Sequence, residues 1–227
     1  MRTGHTQALF AVPAAARHMP PAWKPRQGAP TGGFAASILD DLQGVLNTRT
    51  ADVMLFPGGA ASAWEAAVAA TLSPGDRVLV VRSGQAATDW ARMAARMGLE
   101  VEAIDRPWGA PVPVAEMSRR LGADRFGTIK AVFVALAGAA PCDMAGVRRA
   151  LDTAFHDALL FVEGSAAPGP AEIHMDAWCV DAGVTVTGAG PACAAGLGVL
   201  GLSAQALAAK PAAVRPVAVG PAAASVE

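Results

Sequence analysis

Seven short apolar runs, the first five separated from one another by stretches with helical spacing, constrain this chain more than any other feature. The runs are Asp52–Phe56 (DVMLF), Arg77–Arg82 (RVLVVR), Leu99–Ile104, Ile129–Leu136 (IKAVFVAL), Ala158–Glu163 (ALLFVE), Asp181–Thr187 and Gly196–Leu202. Most are continuously apolar rather than alternating, so both faces of each strand must be covered. Between them lie helical stretches at 61–72, 86–97, 114–121 and 144–155, and a further one precedes the first strand at 33–46. Strands alternating with helices predict an α/β fold: three αβα layers around a mainly parallel sheet of about seven strands. Ser73-Pro74-Gly75-Asp76 reads as a turn. Gly98 stands where a helix ends in the left-handed conformation.

In such a sheet, ligands sit at the carboxyl ends of the strands. The loops after Phe56, Arg82, Leu136, Val162 and Thr187 are therefore the places to look for chemistry. The chain divides into an extended, proline- and alanine-rich arm (1–30), a large α/β domain (31–204) and a low-complexity tail (205–227) expected to have little structure of its own.

Composition excludes several functions. Eighteen basic and nineteen acidic residues leave a net charge of −1 with no basic stripe, which argues against nucleic acid. Cys142, Cys179 and Cys193 match no zinc or redox spacing, and the four histidines form no H-x-x-x-H pair, so no metal is expected. The uncharged stretch 182–209 is long enough to span a bilayer, but Pro191 and its glycines favour strand, loop and strand, and no membrane partner is expected. With no persuasive signal peptide, a cytoplasmic setting is expected. Gly188-Ala189-Gly190 follows a strand, but Cys193 stands where the dinucleotide fingerprint needs its third glycine. No G-x-S-x-G nucleophile elbow occurs.

The stretches LFPGGAASAWEAAVAATLSPGDRVLV (55–80), GQAATDWARMAARMGLEVE (84–102), VRRALD (147–152), ALLFVEG (158–164), MDAWCVD (175–181) and GLG (196–198) occur in one order. In that order the chain resembles the class V aminotransferases of pyridoxal-phosphate (PLP) fold type I. The likeness is strongest to the serine–glyoxylate and alanine–glyoxylate group. It extends over about residues 8–208, and LFAVP (9–13) is similar to the family's amino-terminal LF-x-PGP. The resemblance implies the fold above, a homodimer with its active sites at the interface, and PLP as cofactor.

Position by position, the same resemblance implies a lost active site. VTVTGAGPACAAGLG (184–198) aligns with the family's T-G-S-x-K-G core, and Thr187 keeps its first position. Ala189 occupies the place of the lysine that holds PLP as a Schiff base, and a methyl group forms no imine. The family's phosphate-cradling S-G-T-G-G turn reads Gly59-Ala60-Ala61-Ser62-Ala63, without the first and third hydroxyls. The ring that stacks on the cofactor is Ala86. The polar loop H-N-E-T-A-T-G is the apolar stretch from Leu136 to Pro141. The aspartate that pairs with the pyridine nitrogen is Glu163, one methylene longer; a carboxylate at a strand end also suits solvent or a neighbouring amide. The sequence ends before the family's small carboxy-terminal domain. Only Lys24, Lys130 and Lys210 exist, and none stands at the Schiff-base position.

The expectation is therefore an aminotransferase-like protein that has lost transamination, holds no cofactor, and acts by binding or dimerisation with itself or with a full-length relative. The alternative is an altered PLP-dependent transferase of the serine/alanine–glyoxylate type with a remodelled site.

Overall fold

The computed structural model describes residues 41–107, 110–136, 142–165, 172–186 and 196–209. Residues 41–45 are helical (α1). They are followed by β1 (Asp52–Phe56), α2 (Gly59–Thr71), β2 (Arg77–Arg82), α3 (Gln85–Arg96), β3 (Glu100–Asp105), α4 (Val114–Ala123) and β4 (Ile129–Ala135). The chain continues through α5 (Met144–Thr153), β5 (Leu159–Glu163), α6 (Met175–Trp178), β6 (Ala182–Val186), β7 (Gly198–Leu202) and α7 (Ala204–Ala208). The seven strands form one sheet in the order β1-β7-β6-β5-β4-β2-β3. β2 through β6 pair in parallel, and β7 is antiparallel to both β1 and β6. The expected three-layer αβα architecture is thus present.

Strand parity explains the layers. Val78, Val80, Phe133, Phe161 and Val184 face α2, α3 and α7, whereas Leu79, Val81, Val132, Leu160 and Val162 face α1, α4, α5 and α6. Because alternate residues of one strand serve two cores, the central strands carry no polar face. On the first face Trp64 of α2 is fully buried, with its ring centroid 4.4 Å from Trp90, 4.9 Å from Phe133 and 5.5 Å from Phe161. This aromatic cluster fixes α2 over the sheet centre, with its amino terminus at the carboxyl edge.

Turns follow the chemistry read from the sequence. Gly98 follows the end of α3 with φ 86°, and Gly75 turns before β2 with φ 92°. Asn47, Phe155 and Cys179 are left-handed without being glycine.

Two differences stand out. α7 occupies part of the stretch expected to lack structure. The Ser203 hydroxyl caps it by accepting from the Ala206 N–H at 3.0 Å, and Ala206 is buried against α2's layer. The single-turn α6 was not expected. Its Asp176 carboxylate gathers the Thr48 and Thr50 hydroxyls and the Arg49 N–H at 2.7–2.9 Å, tying it to the chain before β1. The arm 1–30, most of the tail, Thr187 and Ala189 lie outside the described residues.

Candidate functional site

Register places the expected site residues at one edge. Phe56 pairs with Gly198, Gly198 with Val186, Val184 with Glu163, and Glu163 with Ala135. Gln85 opens α3 just beyond the end of β2. The phosphate-turn residues, Ala86 and Glu163 are thereby collected along the carboxyl edge. Val186 and Gly198, which flank in sequence the segment that contains Thr187 and Ala189, belong to the same edge.

The turn into α2 is built by glycine. Gly58 (φ 101°) and Gly59 (φ 73°) are both left-handed, a conformation that strains other residues. Gly59, Ala60 and Ala61 form the first turn of α2. That turn carries no acidic residue, and Gly58 provides no side-chain cap. Its amide groups and the positive end of the helix dipole thus meet the edge without a carboxylate competing for them. Gly198 lies so close to this turn that a Cβ there would overlap the Gly59 carbonyl oxygen and reach within 2.9 Å of the Ala63 Cβ. The GLG segment brings β7 against the helix start through lack of side chain.

Glu163 ends β5 on the α2/α3 face, by parity with Leu159 and Phe161, and is 0 % exposed. Its Oε1 accepts from the Ser165 N–H at 2.7 Å and also from the Ser165 hydroxyl. Gly164, between them, donates its N–H to the Val184 carbonyl at 2.9 Å. Of the two settings open to Glu163 as a structural residue, the structure has the neighbouring amide, not solvent. From the sequence, Ser165 is weighed only as a nucleophile, for which Gly164-Ser165-Ala166 lacks the pattern and a histidine base, and not as a partner of Glu163. The available signal was a hydroxyl two residues after a strand-end carboxylate, a spacing common in local side chain–backbone turns.

Ala86, half-buried, packs against the core that contains Phe133 and Ala135 and presents no ring. At the outer end of the edge Arg82 and Asp105 form a two-pronged pair, with Nε–Oδ1 at 2.7 Å and Nη2–Oδ2 at 2.8 Å. Lys130, the sole lysine among the described residues, sits near the amino end of β4, opposite to the site. Its Nζ donates to the Gly127 carbonyl at 2.7 Å.

No protein-family model matches the chain. It is 40% identical over 170 residues to a serine–glyoxylate aminotransferase of Hyphomicrobium methylovorum, an overlap covering 74% of this chain and 42% of that protein. It is 40% identical over 173 residues to an L-aspartate–glyoxylate aminotransferase of Paracoccus denitrificans, covering 75% and 44%. The crystal structure of an alanine–glyoxylate aminotransferase from Nostoc sp. superposes with a TM-score of 0.64 at 26% identity, over 75% of this chain and 46% of that one. The chain is a homologue of the class V aminotransferases. Its sheet corresponds to the large domain of PLP fold type I.

This aminotransferase homologue spans under half the length of the named relatives it matches. At two of the positions where the resemblance expects cofactor contacts, one carboxylate oxygen, Glu163 Oε1, accepts from Ser165, and Ala86 packs a methyl onto the core. Among the described residues no group of three or more His, Cys, Asp or Glu side chains could hold a metal, and no helix is long and apolar enough to cross a membrane.

Proposed function

We propose that this chain is an aminotransferase-fold protein without Schiff-base chemistry that acts by binding or by dimerisation, with itself or with a longer homologue. The observation that carries the reading is the position of its lysines. Ala189 aligns with the Schiff-base lysine, and Lys130 is held at the opposite edge of the sheet by the Gly127 carbonyl. An imine needs a primary amine at the carboxyl edge, and an alanine there provides none. Ala86 in the stacking position supports the same reading, because it removes a contact the ring would use before any chemistry. The well-packed layers behind the edge are what a binding role needs.

The alternative is an altered PLP-dependent transferase acting on the amino and keto acids of the serine/alanine–glyoxylate class. The buried carboxylate at the end of β5 favours it, since the charge type of the family's ring-nitrogen partner is kept. The two readings part on one experiment. The purified full chain is incubated with PLP, reduced with borohydride and weighed by mass spectrometry, while its self-association is followed by sedimentation. A dimer without a PLP mass addition supports binding; a stoichiometric, lysine-linked addition supports the transferase.

A further inference from the structure

We infer that the turns before β4 and β5, at the amino edge of the sheet, form a self-association surface: Phe126 and Phe155 of one copy dock on Phe155 and Phe126 of a second copy of this chain, about a two-fold axis. The inference deepens the dimerisation arm of the reading above and rests on it. It places the contact at the edge opposite the candidate site, so no residue of that site takes part.

Three observations carry it. Phe126 is 92% exposed and Phe155 93% exposed. Their turns are neighbours, because β4 and β5 pair directly and His156 Nε2 meets Asp124 Oδ2 at 3.1 Å between them. A lone exposed apolar side chain is ordinary, whereas two bare rings on joined turns mark a contact surface. Both rings are also held by fixed backbone. The Gly127 N–H donates to the Asp124 carbonyl at 3.1 Å and closes the turn that carries Phe126; the Phe155 and His156 N–H groups donate to the Asp152 and Leu151 carbonyls, each at 3.0 Å. Groups fixed in this way lose little freedom on docking. Phe155 has φ 49°, a helix-end conformation that favours glycine, so a strained aromatic is kept where its ring meets solvent. The third observation is charge. Exposed Arg125 adjoins Phe126, exposed Asp157 follows two residues after Phe155, and neither forms an ion pair among the described residues. Lys130, which lines a cavity with Asp157, is held on the Phe126 side by the Gly127 carbonyl. The patch is therefore basic toward Phe126 and acidic toward Phe155. A two-fold contact brings residue i onto j and j onto i, which sets each basic end on the other copy's acidic end. That self-complementarity selects a second copy as the occupant. Four rings of about 200 Å² each, with the flanking side chains, bury roughly 1,200 Å², the lower limit of specific interfaces, so the association is weak, with Kd on the order of 100 µM. Well below that concentration the chain is monomeric, and its unfolding reads the monomer alone.

Sedimentation velocity of the purified full chain, over concentrations about ten-fold either side of that value, tests this. The wild type is expected to show a concentration-dependent association step. Phe126→Ser with Phe155→Gly removes the rings at two exposed positions and is expected to weaken that step at least about ten-fold. Arg125→Glu and Asp157→Arg are each expected to weaken it about three-fold, and the two together to return it to within about two-fold of wild type, because the swapped charges meet across the two-fold axis. Circular dichroism confirms that each variant is folded; if the ring variant is not, the charge swap alone decides. A wild type without an association step overturns the proposal, as does a step that the ring variant leaves unchanged or a charge-swapped pair no better than its single variants. A chain that is monomeric alone but binds a purified full-length relative, in a manner lost in the ring variant, assigns the patch to that partner and likewise overturns it. A dimer indifferent to all these variants leaves the dimerisation reading standing without this surface, and a borohydride-fixed PLP adduct marks failure of the reading without Schiff-base chemistry.

Discussion

Gly198, the first residue of β7, stands with its Cα against the carbonyl of Gly59, the first residue of α2. This contact joins β7 to the start of α2. Gly198→Ala is expected to cost about 2–3 kcal/mol, because the methyl meets backbone and the Ala63 methyl and neither can swing away. Gly44→Ala is the internal control. A Cβ there meets nothing within 4 Å, and alanine in this helical segment is expected to gain up to about 1 kcal/mol. Urea unfolding of both variants reads the contrast.

Phe155 follows the end of α5 with φ 49° and is 93% exposed. It therefore bears left-handed strain without compensating burial. Phe155→Gly is expected to raise stability by about 0.5–1 kcal/mol, the relieved strain less the entropy glycine adds to the unfolded chain. A lowered thermal midpoint would show that the ring makes a stabilising contact.

Asp124 binds two segments together. It accepts from the Thr128 hydroxyl at 2.8 Å and the Ile129 N–H at 2.6 Å, and meets His156 Nε2 at 3.1 Å. His156 Nδ1 accepts from the Ala158 N–H, so Nε2 is the nitrogen that carries a proton toward Asp124. Burial alone would push the Asp124 carboxyl up, but the bonds from Ile129, Thr128 and His156 outweigh it and hold it well below the usual carboxylate range. The folded state thus gains stability from the ionised carboxylate above about pH 4, the unfolded value. That gain is lost as pH falls below it toward the folded value. Asp124→Asn is expected to be less stable than wild type at pH 7, with the difference narrowing progressively as pH falls below about 4 toward the folded value, read from urea midpoints across pH.

Trp64 has a fully buried ring whose Nε1 meets no hydrogen-bond acceptor among the described residues. Trp64→Phe deletes that unsatisfied donor, offsetting about 1–3 kcal/mol against the cavity left by the smaller ring. The net change is expected to lie within about 1 kcal/mol of zero, whereas Trp64→Ala is expected to lose about 3–5 kcal/mol. Thermal unfolding of the pair separates aromatic packing from the polar defect.

The strands were legible because each is buried on both faces and must therefore be apolar throughout, as Val78–Val81 and Leu159–Val162 are. Helix ends marked by glycine, such as Gly98, were legible for the same kind of reason. α7 was not, because its alanines carry no large apolar residue at helical spacing, and its cap Ser203 gains meaning only from the Asp181 carboxylate that it also donates to, at 2.7 Å. In the site, the identities of Gly59–Ala61, Ala86 and Glu163 could be read by position. The Ser165 contact and the approach of Gly198 to Gly59 could not, since each depends on where a backbone passes in space.

Ala189→Lys alone is expected to yield no transamination of serine or alanine with glyoxylate, because Ala86 and the Ser165-bound Glu163 remain. Turnover by that variant would mean these positions matter less than their geometry implies.

The most direct test of the account is intact-mass analysis of the wild-type chain after PLP incubation and borohydride reduction, with peptide mapping of any adduct. The account predicts an unmodified mass, apart from sparse, non-saturating labelling of surface lysines. One PLP per chain, saturating and mapped to a single lysine, would contradict it.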